Sequence, residues 1–238
     1  MLPVSAASEP ANQLTVSVVD QVIRHRRTRK ILGDLHAPAC IPPEFAAQVE
    51  QAIEVAGWAP FHLPANKVHR HSPLDSCVPW RFYALNHTSC LQLAHTLVDN
   101  AIGNSAPEST IIRLLAAAGA LVLCTWLPEP GSSEHTQQLN EEHLAAAAAA
   151  VQNLLLASEA RGMQTYWSSG GVLKTAACFQ LCNIPANQHL VGAIFLFPAN
   201  TPTNADIHEG KLRHQRGGVE TWRSWIDLLS PPTDATET

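Results

Sequence analysis

Three groups of residues in this 238-residue chain have the types and spacing to do chemistry. The first is a run of cations, Arg24-His25-Arg26-Arg27-Thr28-Arg29-Lys30, answered far downstream by Lys211-Leu212-Arg213. Arginine forks beside a hydroxyl can converge on a phosphate, because charge-assisted bidentate hydrogen bonds are strong and geometrically selective. The same run also reads as a solvated helix end, where cations offset the negative pole of the helix dipole. Lys211 and Arg213 stand two apart with no helical periodicity around them, so both can point the same way; the plain reading is an exposed basic loop. The second group is Trp167-Ser168-Ser169-Gly170-Gly171, too small and polar for a core. Glycines there let backbone N–H groups approach a planar ligand, or the stretch simply joins two helices. The third is His62, His69, His71 and Cys77, nitrogen and sulfur donors in the proline-rich segment 60–79. A zinc site would use such donors, but strong zinc signatures pair their ligands at fixed spacings. Ordinary loop histidines are the expectation, and no metal is assigned.

Other chemistries lack their signatures. There is no GxGxxG after a strand, no GxxxxGK[ST] and no GxSxG elbow, so dinucleotide-type, P-loop and serine-hydrolase readings are set aside.

The elements that must position these groups read as follows. Stretch 16–27 carries Val18, Val19, Val22 and Ile23 at helical spacing. Pro42-Pro43-Glu44 opens a helix lined by Phe45, Val49, Ile53 and Ala56, and Gly57 closes it. Residues 60–79 form a long irregular loop of the kind that is often functional. Strands are expected over 80–86, 120–127 and 189–197, the last near-continuously apolar as in a central strand. Helices are expected over 89–101, 141–162 and 175–182. The 141–162 helix includes six consecutive alanines with Val151, Leu154, Leu155 and Leu156, so it is apolar nearly all round and should be buried. Trp222, Trp225, Ile226 and Leu229 repeat at helical spacing near the end of the chain. Residues 1–16 and 230–238 show no periodicity and are expected to be flexible tails, leaving 17–229 as one domain.

With 46% apolar and 15% charged residues the chain can bury a sizeable core, and a net charge of −5 argues against nucleic acid as the main partner. No apolar run reaches the ~18 residues that a membrane-spanning helix needs. Six scattered cysteines without a CxxC pair, and no secretory leader, suggest free thiols in a reducing cytoplasm.

Several of these pieces occur in an order that resembles the FMN-dependent nitroreductases. Arg26-Arg27-Thr28-Arg29-Lys30 is similar to that family's RRS-x-R start. Ala59-Pro60, followed by Pro79-Trp80-Arg81-Phe82, is similar to its AP-S-x-x-N-x-QPW-x-F, with Asn66 in the place of the Asn. Ala150 to Ala157, then Gly162 and Trp167-Ser168-Ser169-Gly170, resemble its central helix and flavin-facing turn, and Lys211-Leu212-Arg213 resembles the K-x-R after its last core strand.

The resemblance implies an α+β fold, helices around a mostly antiparallel sheet, built as an intertwined homodimer with FMN at the interface. It implies that Arg26, Arg27, Thr28, Lys211 and Arg213 bind the phosphate and ribityl oxygens, and that Lys30 lies near the pyrimidine edge. Pro60, Asn66, Trp167, Ser168, Ser169 and Gly170 would line the flavin, with a backbone N–H of the turn at N5. The implied activity is hydride transfer from NADH or NADPH through the flavin to a small organic acceptor. Val78 stands where the pattern has a hydrogen-bonding Gln, and segment 60–79 is longer than the pattern. The alternative is therefore a flavin-holding module without nicotinamide turnover, its site blocked or respecified by that loop.

Overall fold

Two segments form the centre of the sheet because both of their faces are apolar. Strands β3 (Ala120–Trp126) and β5 (His189–Phe197) pair antiparallel, and each alternates its side chains between two cores. Leu121, Leu123, Ala193, Phe195 and Phe197 point to one side, while Val122, Cys124, Ile194 and Leu196 point to the other. The structure, a computed structural model, describes residues 9–71, 73–200 and 205–228.

Strand β2 (Trp80–Asn86) adds to β3, and β4 (Gln164–Ser168) adds to β5, giving the antiparallel order β2-β3-β5-β4. On one face lie α3 (His87–Asp99), α4 (Thr110–Ala117) and α6 (Ala176–Leu181), and on the other α2 (Phe45–Ala56) and α5 (Glu134–Ala160). Burial from both sides explains why β3 and β5 read as continuous apolar runs. Helix α1 (Glu9–His25) leads into β1 (Arg29–Leu32), which pairs antiparallel with β6 (Asp206–Glu209) as a separate two-stranded ribbon. This is the α+β architecture that the resemblance implied. Among the described residues, no helix is long and apolar enough to cross a membrane.

Several expectations need correction. Helix α1 begins at Glu9, inside the stretch 1–16 expected to be flexible; Pro10 falls in its first turn, where the missing N–H costs nothing. Residues 1–8 and the tail 230–238 lie outside the described residues. Helix α5 starts seven residues before the expected Glu141, because the Ser133 hydroxyl accepts the Thr136 N–H at 3.1 Å and caps it. It is less completely covered than its composition suggests, for Leu144 is 42% exposed. The connection before residue 168 is strand β4 rather than turn, and Thr165, Tyr166 and Trp167 are the strand-favouring residues that signalled it. Of the helix expected from 219 onward, only a 3-10 turn at Val219–Thr221 forms. The remainder runs irregularly to Leu228, with Trp222, Trp225, Ile226 and Leu228 at 66–91% exposure; Leu229 lies outside the described residues. A helical pattern without a surface to pack on gains little from propensity alone.

Loop 60–79 is held from within by Arg81. This side chain is 4% exposed, and its guanidinium donates to the carbonyls of Val78, Trp80, His69, Leu74 and Ser76 at 2.7–3.2 Å. Five carbonyl dipoles, rather than a carboxylate, solvate the buried charge, and burial still holds its pKa below the usual arginine value. Arg70 fixes the same loop by a forked contact to the Ala65 carbonyl, at 2.9 and 2.5 Å. Replacing Arg81 with Met should leave those carbonyls buried without a donor and cost at least about 3 kcal/mol. Urea unfolding should register the loss, and protease should cut within 60–79; unchanged stability and cleavage would refute the role given to Arg81.

Candidate functional site: a cavity of four arginines

The ribbon of β1 and β6 joins the two basic segments. Arg29 pairs with Glu209 across it, and just beyond the ladder the Gly210 N–H donates to the Thr28 carbonyl at 3.0 Å. A Cβ at Gly210 would lie 3.1 Å from that of Thr28, so the glycine permits a close approach. Helix α4 clamps the ribbon from the side. Arg113 donates to the Gly33 carbonyl at 3.2 Å and pairs with Asp206 at 2.5 Å. The Arg113 hydrogen bond holds the Asp206 carboxyl below the usual range, so this clasp persists at neutral pH and is lost only in acid.

Around this junction a cavity of about 290 Å³ is lined by Arg26, Arg27, Thr28, Gly210, Leu212, Arg213 and Arg216. It brings together Arg26, Arg27, Thr28 and Arg213 as the sequence suggested. It does not include Lys211, and it adds Arg216, which the sequence reading missed. The reason is local geometry. Lys211–Gln215 is a 3-10 turn capped by Arg216, and residues three apart eclipse in such a turn, which puts Arg216 on the side of Arg213; Lys211 does not line the cavity. An alternating loop was the wrong template for this segment; the i, i+3 arginines were the available signal.

The basic run closes the end of α1, as the plain reading of it expects. Arg27 donates from one nitrogen to the carbonyls of Arg24, His25 and Arg26 at 2.7, 2.6 and 3.3 Å, and Arg213 bonds those of Arg26, at 3.1 Å, and Arg24. These contacts cap the C-terminus of α1 and aim the guanidinium groups. Each guanidinium has five N–H donors, so capping leaves others for a ligand. The lining holds four guanidinium groups and no carboxylate. Burial, then the charge of Arg216, lowers the Arg26 pKa, with Glu159 opposing and Arg213 and Arg27 adding to the effect. Arg213 is lowered likewise by desolvation and then by Arg27 and Arg216. Four like charges in one small cavity repel one another, and a bound dianion would relieve that repulsion.

The turn lies one strand-length away. Thr28 forms a parallel bridge to Thr165 of β4, so Lys30 and Trp167 each lie two residues further in the same direction. Ser169 is four residues beyond Thr165, about 13 Å along an extended chain. Lys30 is half-buried on β1. The Trp167 ring packs where a Cβ of Gly192 would otherwise sit, leaving Trp167 38% exposed. Ser168 is buried, and its hydroxyl accepts the Gly170 N–H at 3.2 Å. Gly170 has φ 104°, a conformation glycine tolerates. Exposed Ser169 is thus the outward apex of the turn.

Pro60 and Asn66 are not brought to this cavity. Their loop is tied to β2, the opposite edge of the sheet from β4, three strand spacings or about 14 Å away. Pro60 is exposed, while Asn66 accepts the Val68 N–H at 3.1 Å and donates to Glu129 at 2.9 Å. The histidines do not converge either. His62 pairs with Glu142 at 2.8 Å, and buried His69 contacts the Pro128 carbonyl at 2.7 Å. Among the described residues there is no group of three or more potential metal ligands.

No protein-family model matches the chain, and the comparison with curated proteins found no match. Solved structures are. A nitroreductase-like family protein from Bacillus cereus is 17% identical with a TM-score of 0.51, the match covering 85% of this chain and 96% of that one. A nitroreductase family protein from Clostridium novyi NT is also 17% identical, with a TM-score of 0.52 and coverages of 76% and 85%. A nitroreductase with bound FMN from Desulfitobacterium hafniense DCB-2 is 13% identical, with a TM-score of 0.53 and coverages of 88% and 98%. The chain has the nitroreductase-like fold. Within that fold, the four-arginine cavity sits where the two basic segments meet, beside the edge strand that carries the Trp167 turn.

Inorganic phosphate should bind this cavity and raise the unfolding midpoint, by about 1.4 kcal/mol of stability at ten times its dissociation constant. In Arg216→Ala the ligand-free midpoint should stay level or rise, as repulsion is relieved, while the phosphate effect falls by more than half. Measured against chloride of equal ionic strength, an undiminished phosphate effect in the variant would remove Arg216 from the site.

Proposed function

We propose that the protein is an FMN-dependent oxidoreductase that takes hydride from NADH or NADPH and passes it to a small organic acceptor. The observation that carries the proposal is the cavity of Arg26, Arg27, Arg213 and Arg216 around the Thr28 hydroxyl, a donor set suited to a phosphate monoester. When bound, FMN supplies a hydride acceptor at its N5.

The chain's own residues bind and orient. The arginines hold the phosphate at one end of β4. Bound there, FMN would have Trp167, further along β4, and Ser169, just past its end, to hold its ring. Lys30, on β1 beside β4, would offset negative charge at the pyrimidine edge. The backbone N–H of Ser169 would be the donor offered to N5, since the Gly170 N–H is already taken by Ser168. Tuning by a backbone donor needs no side-chain acid or base.

The ring end is completed by a second copy. Within one chain Pro60 and Asn66 stand at the far edge of the sheet, so a site using both ends must draw on two subunits. Apolar surface for such an interface is present. Val16, Val18, Val19 and Ile23 of α1, Leu144 of α5 and the terminal Trp222, Trp225, Ile226 and Leu228 are 42–91% exposed. Exposed apolar side chains in this number are material for a partner to cover.

One experiment tests cofactor, assembly and turnover together. Protein mixed with FMN should sediment as a dimer carrying the yellow absorbance, and anaerobic NADPH or NADH should bleach it. Arg26→Ala should weaken FMN retention about 10- to 150-fold, the equivalent of 1.5–3 kcal/mol for one charged hydrogen bond. A protein that takes up no FMN at micromolar concentration refutes the proposal. A yellow protein that neither nicotinamide bleaches favours the flavin-holding module.

A further inference from the structure

Away from the arginine cavity, β5 carries an irregularity that re-aims its first residues. Cys124 pairs with Gly192 but Thr125 with Leu190, so Val191 is an extra residue without a partner on β3. A bulge of this kind turns the residues before it to the opposite face. Leu190 accordingly packs with Tyr83 against the core beneath α6, while Val191 packs on the α5 side.

Gln188, two residues earlier, follows Leu190 to the α6 side. It is 2% exposed, and its amide oxygen accepts the Tyr83 hydroxyl at 3.1 Å and the Thr125 hydroxyl at 2.6 Å. Those two bonds fix the amide. Its nitrogen carries two N–H donors, is buried, and has no partner among the described residues. Buried donors in folded proteins are almost always paired, with protein, water or ligand.

Gln188 is also part of the lining of a cavity of about 690 Å³ between α6 and the start of β5. Phe179, Ile184 and Leu190 give this cavity an apolar wall, and the exposed side chains of Lys174 and His189 stand at its rim. No carboxylate lines it, and Lys174 forms no ion pair among the described residues. The cavity backs onto the Trp167 turn: the Leu190 side chain and the Lys174 Cβ both come within 3.5 Å of the point that a Gly170 Cβ would occupy. The Trp167 ring lies on the other face of the sheet. It covers Gly192, which is in register with Cys124 of the α5-side core.

We propose that this cavity is a binding site for an apolar-bodied monocarboxylate. The apolar wall takes the hydrocarbon body, the Gln188 nitrogen donates to a carboxylate oxygen, and the Lys174 ammonium neutralises the charge. A donor that is buried and already oriented gains most from a charged acceptor. The Gln188 nitrogen is shielded from solvent, so entry requires the rim side chains to swing aside. A flexible four-carbon lysine stem can do this and then close on the charge. Neutral ligands of the same shape satisfy Gln188 but leave Lys174 unpaired.

The test titrates cinnamate into the full chain by calorimetry, with cinnamamide as its neutral counterpart and phosphate buffer to occupy the arginine cavity. Cinnamate should bind at least about 10-fold more tightly than cinnamamide, the lower bound for one charge-assisted hydrogen bond. Lys174→Met should remove that preference. Gln188→Glu still accepts both hydroxyl hydrogen bonds and should abolish cinnamate binding by setting a buried carboxylate against it. Ala186 is exposed on the cavity lining, so Ala186→Trp fills the cavity without disturbing the core and should block both ligands. No binding at millimolar cinnamate, or binding that survives both Lys174→Met and Ala186→Trp, would overturn the proposal. Equal affinity for acid and amide would overturn the carboxylate. None of these readouts depends on FMN, so their failure is separate from that of the flavin reading.

Discussion

The pairing of β1 with β6 is the constraint on which the candidate site depends. It closes 180 residues of sequence between Arg29 and Glu209, and it sets the Thr28 carbonyl against the Gly210 N–H. Without that ladder, cations at 24–30 and 211–216 would repel and separate. With it they surround a single cavity. The ladder is short, and β6 is exposed along its length, so it relies on outside support. Helix α4 supplies some through Arg113, and the carbonyls at the end of α1 supply the rest by accepting from Arg27 and Arg213. Part of the arginine charge is spent on holding the site together and part remains for a ligand.

Sheet order sets the second constraint. Edge strand β4 adjoins the ribbon through Thr28 and Thr165, while β2 and the loop held by Arg81 form the opposite edge. A chain so arranged can grip one end of an elongated ligand but cannot wrap it alone. Exposed apolar residues on α1 and after residue 219 give a second copy a surface to cover, which is how the proposed function completes the ring end of the site.

Legibility in the sequence followed burial. Strands Trp80–Asn86 and His189–Phe197 were read to the residue, and β3 to within one, because a core strand announces itself through apolar side chains on one or both faces. Strands β1, β4 and β6 escaped because they are short, lie at edges and carry Arg29, Lys30, Gln164, Asp206 and Glu209. Their identity comes from partners distant in sequence, which local pattern does not encode. In the site, Arg26, Arg27, Thr28 and Arg213 were legible as residue types fit for an anion. Arg216 was not, since the choice between an alternating loop and a 3-10 turn depends on how the segment docks against Thr28. Asn66 was legible as a motif position but not as the cap of Lys67–His69 and partner of Glu129.

If the arginine cavity is a phosphate grip for a flavin, FMN and riboflavin must differ in affinity. The two share ring and ribityl chain and differ only in the phosphate. Titrated by quenching of flavin fluorescence, FMN should bind at least about 100-fold more tightly than riboflavin, the difference expected from two charge-assisted hydrogen bonds. Equal affinity for the two flavins would contradict the account, because it would mean that the four arginines do not hold the cofactor.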